Sequence, residues 1–184
     1  DYTEKDQEIV SFFAEVTWEI VQHKLYEEKV RDLNLFLDST LNSLLYHIAV
    51  LDEQGDIVLV NQSWRDFAQD NDLPAHHVSE GVNYLSVCDK ATGEDAEEAE
   101  LFARGIRMVI SGERDSFSLE YPCHSQNKLR WFIGRVTSFS ESPPRRVVVN
   151  HEEITERKHA EEALQHSKNY YRAIFETSGT AMFI

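Results

Sequence analysis

Val148-Val149-Asn150-His151-Glu152-Glu153-Ile154-Thr155-Glu156-Arg157-Lys158 is where the chain changes its period, and the fold turns on that change. Upstream, Arg145 to Asn150 is a short β-branched run of strand type, set off from the preceding strand by Ser142-Pro143-Pro144. Downstream, His151 to about Thr177 is rich in Glu, Lys, Arg and Ala and reads as a helix, with Ile154, Leu164, Tyr171, Ile174 and Phe175 as sparse apolar anchors. A strand therefore runs without a turn into a helix of roughly 20 residues, about 30 Å long.

Two further strands precede this joint. Ser116 to Tyr121 alternates, with Phe117, Leu119 and Tyr121 on its buried face, and Arg130 to Phe139 follows. Before them a helix from Glu94 to Ile110 ends at Ser111-Gly112, and residues 72–93 are loop-rich. Asn61 is expected to cap a short helix, Gln62 to Asp70, with Trp64, Phe67 and Ala68 on one face. His47 to Leu51 and Ile57 to Val60 form a hairpin across Asp52-Glu53-Gln54-Gly55-Asp56. The order β-β-α-α-α-β-β-β predicts an α+β domain, an antiparallel five-stranded sheet with helices on one face, flanked by long N- and C-terminal helices.

The N-terminal helix is expected from Glu4 to about Leu45, a stretch without Pro or Gly. Ile9, Phe13, Val16 and Ile20, then Val30, Leu33, Leu37, Leu41 and Leu44, recur at coiled-coil spacing. His23 and Glu27 interrupt the stripe, which predicts a bend or register shift near residues 22–29. Two readings stay open: a surface helix packed on its own domain, or a seam of Leu33, Leu37, Leu41 and Leu44 that pairs with a second copy.

The 184 residues carry 18 Lys+Arg against 33 Asp+Glu, a formal charge of −15. Such a balance argues against a nucleic-acid face and against contact with anionic membranes. No apolar run approaches the roughly 20 residues of a spanning helix, and no signal-peptide core is present. Two cysteines, Cys88 and Cys123, are too few for a disulfide scaffold and fit a reducing cytoplasm. A start at Asp1 and an apolar end at Ile184 are expected of an internal segment of a longer chain.

Over about residues 38–156 the pattern resembles a PAS domain, the sensory module of bacterial and archaeal signalling proteins. Asp52 to Ile57 with Val60-Asn61 is similar to that family's opening hairpin and its strand-to-helix Asn, and Gly81-Val82-Asn83-Tyr84 falls at its loop helices. Residues 148–158 resemble its C-terminal signature, in which an Asp-Ile-Thr triplet joins the last strand to the exit helix. Here Glu153 replaces the Asp, which alters the short ion pair expected at the joint. Residues 1–30 resemble the last helix of a GAF domain. Residues 157–164 and 175–177 echo residues 23–30 and 37–39, so residues 177–184 resemble the start of a second PAS domain. The resemblance implies the division 1–30 end of a GAF-like domain, 31–45 linker helix, 46–152 PAS domain, 153–176 signalling helix, 177–184 next PAS domain.

Catalytic motifs are missing from the sequence. His151 to Thr155 begins like HExxH, but Thr155 stands where the second zinc-binding His is required. The acidic stretch Glu94-Asp95-Ala96-Glu97-Glu98 reads as a solvated helix start. His76-His77 and Cys123-His124 are adjacent pairs, which on regular structure point apart. Haem is disfavoured because the helix at 94–112 lacks the His that haem-binding relatives carry there. Flavin is disfavoured because Tyr84, not a reactive Cys, follows Asn83. A pocket between sheet and helices remains, with Trp64, Phe67, Tyr84, Cys88, Met108, Tyr121, Trp131 and Arg135 as candidate lining and Val87, Phe117 and Leu119 beside them. Against it stands the simpler reading that these residues fill a core, that Arg135 makes a structural ion pair and that both thiols are buried and inert.

The expectation is a non-enzymatic cytoplasmic module that dimerises and takes no cofactor or an unknown small molecule. Its resemblance implies adjacent GAF and PAS modules and an output domain, most often of a sensor histidine kinase, alternatively of a diguanylate cyclase. A ligand-free PAS spacer is the rival. Glu153, Ile154 and Thr155 are the expected relay, and Ile154→Asp is expected to uncouple it.

Overall fold

The hairpin is built by its turn. Asp52 Oδ1 accepts from the backbone N–H of Gln54 and of Asp56, at 3.0 and 2.9 Å, and Gly55 supplies the left-handed φ of 84° that closes the reversal. A Cβ at Gly55 would also stand 2.5 Å from the Leu85 side chain, so the turn packs on the helix that follows it in space. The computed structural model of the chain describes residues 3–71, 74, 79–93, 96–123, 129–139 and 144–178. His76, His77, His124, the Glu94-Asp95 helix start and residues 179–184, most of the segment likened to a second domain, lie outside them.

Two units divide the chain, Asp1–Leu44 and Leu45–Ile184. The first is one helix, α1 (Glu4–Asn42), unbroken through residues 22–29. His23 and Glu27, the polar interruption that suggests a bend, face each other one turn apart at 3.3 Å, an arrangement continuous helix accommodates. Exposed apolar residues lie on the expected stripe and also off it, at Phe12, Trp18, Val21, Leu25 and Phe36.

The second unit comprises β1 (His47–Leu51), β2 (Ile57–Val60), α2 (Gln62–Asp70), α3 (Tyr84–Asp89), α4 (Ala96–Ile110), β3 (Ser116–Pro122), β4 (Trp131–Ser138), β5 (Val147–Glu153) and α5 (Thr155–Ser178). The five strands are antiparallel in the order β2-β1-β5-β4-β3, so first and last strands of the domain pair at its centre. Ala49, Leu51, Val136, Val147 and Val149 form the sheet's inner face, and Trp64 of α2, Leu85 and Cys88 of α3, and Phe102, Ile106 and Val109 of α4 pack on it. The α+β architecture expected from the sequence is the one observed.

Asn61 is fully buried and ties three segments together. Its Oδ1 accepts from the N–H groups of Trp64 and Ile48, and its Nδ2 donates to the Tyr46 carbonyl. Asn83 does the same for α3: Oδ1 caps Ser86, while Nδ2 donates to Gln54 O and Asp56 Oδ1.

The boundaries of both long helices differ from the sequence reading: α1 stops at Asn42, short of the expected Leu45 and before Leu44 of the stripe, and α5 starts late. The last strand continues through His151, Glu152 and Glu153, and the helix begins only at Thr155. Cross-strand pairing holds these residues extended: His151 lies opposite both His47 and Gly134, while Glu152 and Glu153 pair with Ile133 and Phe132 of β4. The high helix propensity of the two glutamates loses to the ladder with β4.

Candidate functional site

Extending β5 by three residues places His151 on the inner face, in step with Val147 and Val149. The ring finds room because its neighbour is Gly134, where a Cβ would come within 3.1 Å of His151 Nδ1 and 2.5 Å of the Phe102 ring. Phe102 and Trp64 flank the imidazole at 5.2 and 5.6 Å between centroids. Both ring nitrogens are engaged, Nδ1 by the Tyr121 hydroxyl at 2.7 Å and Nε2 by the Tyr84 hydroxyl at 3.2 Å.

Burial, with a smaller contribution from His47, drives the His151 pKa down to about 3, so the ring is neutral at physiological pH. A neutral imidazole has one N–H donor and one bare acceptor. One tyrosine therefore accepts from it while the other donates to it, and a change of tautomer exchanges the two roles. Desolvation holds the Tyr84 hydroxyl well above its ordinary pKa, so it keeps its proton.

All three residues of this triad border two cavities. One of about 150 Å³ is bounded by Tyr84, Cys88, Glu98, Ala99, Phe102, Tyr121, Pro122, Cys123 and His151. The other, of about 110 Å³, adds His47, Trp64, Phe67 and Phe132 and shares Tyr84, Tyr121, Cys123 and His151. An internal volume near 150 Å³ is enough for a single six-membered ring.

Of the residues picked out from sequence, Tyr84, Tyr121 and Cys88 border the larger cavity, and Trp64 and Phe67 the smaller. Met108, Trp131 and Arg135 border neither. Strand parity is the reason for the last two: Phe132, Gly134 and Val136 point at the helices, so Trp131 and Arg135 point away. Arg135 pairs with Glu152 at 2.6 Å, and the Lys158 ammonium lies 5.2 Å from the Trp131 ring centre. Burial lifts the Cys88 thiol to about 11, which keeps it protonated and unreactive. Eight of the described lining residues escape the sequence reading, among them His151, because it is taken as helical, and Glu98, because it stands in an acidic run. Each of these two carries a signal, His151 at two-residue spacing after Val147 and Val149, Glu98 four residues before Phe102 on one helical face.

The strand bearing His151 ends in the joint to α5. Ile154 is 5% exposed, and its N–H donates to the Trp131 carbonyl at 2.8 Å. Thr155 Oγ1 accepts from the Trp131 N–H at 3.1 Å and donates to Glu153 Oε1 at 2.7 Å. Glu153 thus closes the joint through a hydroxyl. One turn on, Arg157 and Lys158 both bind the Glu120 carboxylate of β3. The first turns of α5 are fastened to β3 and β4, three residues from the cavity wall.

No family model matches the chain. Over 129 residues, 69% of its length, it is 38% identical to an uncharacterized 104.1 kDa protein in the hypE 3′ region of Rhodobacter capsulatus, of which it spans 13%. Among solved structures it is similar to the PAS domain of Bordetella pertussis BvgS (TM-score 0.49, 17% identity, 76% of this chain and 98% of that one). It is similar also to the PAS domain of an HTR-like protein from Haloarcula marismortui (TM-score 0.48, 18% identity, 71% and 99%) and to a sensory box sensor histidine kinase from Vibrio cholerae (TM-score 0.37, 17% identity, 69% and 93%).

Proposed function

We propose that the chain is a PAS-type sensory module whose cavity binds a small molecule and whose exit helix carries the occupancy to a downstream output domain, that of a sensor histidine kinase. The observation that carries this reading is the position of His151, which borders both cavities and stands three residues before Ile154 on the strand that leads into α5. Asn61 and Glu153-Ile154-Thr155 hold the strand-to-helix and sheet-to-helix joints at the places the family resemblance assigns them. The cavity volume suits one ring and no porphyrin, and both His151 nitrogens already have partners, which favours a small organic ligand over haem. Within this reading the segment has no catalytic role of its own. It acts in the cytoplasm between a GAF-like domain and a second PAS domain, and its partner is a second copy joined along Leu33, Leu37, Leu41 and Leu44. Among the described residues no helix is long and apolar enough to cross a membrane.

Native mass spectrometry of the purified chain tests the ligand. A mass excess that is lost in Ala99→Phe, which fills the larger cavity from α4, is the expected result. Bare chain mass in both proteins supports the ligand-free spacer instead.

A further inference from the structure

Glu98 lies in the first turn of α4 and is only half-buried as a residue, but its Oε2 is buried and has no hydrogen-bond partner among the described residues. That residue borders the larger cavity, whose other described lining residues are aromatic, aliphatic or sulfur-bearing apart from the Tyr84–His151–Tyr121 triad. A carboxylate oxygen removed from water without a donor is destabilising, and native interiors rarely retain one unless something else completes it. Among the described residues bordering this cavity there is no Lys or Arg, so within that lining an anionic occupant meets Glu98 and no compensating cation. Tyr84, Phe102 and Tyr121 bring three aromatic rings to the cavity lining, and aromatic rings attract a cation at the face or a second ring. The formal charge of −15 adds a long-range bias toward cationic ligands.

Building on the ligand-cavity reading, we propose that the occupant is a small aromatic amine: one ring held among Phe102, Tyr84 and Tyr121, with an ammonium or N–H group donating to the Glu98 carboxylate. The donor supplies what the carboxylate lacks, and the ring matches the volume.

Benzylamine, toluene and benzoate share a ring of one size and differ in charge, and their binding to the whole chain is measured by ligand-observed NMR titration. The expected result is that benzylamine binds at least tenfold tighter than either of the others. Glu98→Gln should weaken benzylamine at least tenfold and leave toluene unchanged, while Glu97→Gln, on the exposed side of the same turn, should alter neither. Equal or tighter binding of toluene or benzoate by the unmutated chain overturns the amine assignment and leaves the cavity reading standing. That comparison decides even if Glu98→Gln fails to fold. An unchanged benzylamine affinity in a folded Glu98→Gln protein overturns the assignment as well. Binding of none of the three probes overturns both the assignment and the cavity reading.

Discussion

His151 is 8% exposed and carries two tyrosine hydroxyls on its ring nitrogens, and this has a measurable consequence. In the unfolded chain it takes up a proton near its ordinary pKa of 6.5, whereas in the folded chain uptake waits until about pH 3. Between those values the unfolded state binds the extra proton, so stability is lost as pH falls, by about 1.4 kcal/mol for each unit. Urea unfolding of the wild type and of His151→Gln across pH 7 to 4.5 isolates this, because the carboxylates and His47 titrate in both proteins. The stability difference between the two should shrink as pH falls; a constant difference contradicts the buried neutral imidazole. His151 was hidden from sequence reasoning by its neighbours, since Glu152, Glu153 and the charged run beyond them favour helix and their alternation is masked by polarity. Glu98 was hidden for the converse reason, as one acid among several in a stretch where Glu97 is exposed.

At the scale of elements, the hairpin, α2 and the inward residues of β3 were legible because turn chemistry, an Asn cap and strict alternation each have a local cause. The end of β5 was not, because its extended conformation is imposed by β1 and β4, which are remote in sequence. Trp131 and Arg135 illustrate the same limit: a strand's period separates its residues into two faces, but only the placement of Phe132 and Gly134 under α4 and α2 decides which face is inside. In α1 the exposed Leu33 and Leu37 of the stripe accompany further exposed apolar residues, among them Trp18, Leu25 and Phe36, while Leu41 is half-buried and Leu44 lies past the helix end at Asn42. A 39-residue helix this apolar is expected to bury its surface against other helices. Light scattering should therefore give a dimer or larger assembly for the wild type, and Leu33→Glu with Leu37→Glu should lower its mass to that of one chain. An unchanged mass removes those leucines from the interface.

For the whole molecule, the α+β architecture followed from element order, while the proposed relay depends on a juxtaposition that no segment shows alone. The cavity wall, the His151 strand and the α5 joint lie within a few residues of one another, and α5, at 24 residues, reaches about 36 Å beyond it. Arg157, Lys158 and the Ile154 amide fasten that helix to β3 and β4. Strain at the cavity therefore has a short, packed path to the helix. Hydrogen exchange of wild type against Ala99→Phe tests this coupling most directly, because the substitution occupies the cavity without any ligand. Altered exchange is expected at the amides of residues 152–158, the Ile154 amide above all, together with the cavity walls. Altered exchange confined to α3, α4 and β3, with residues 152–158 unchanged, would contradict this coupling.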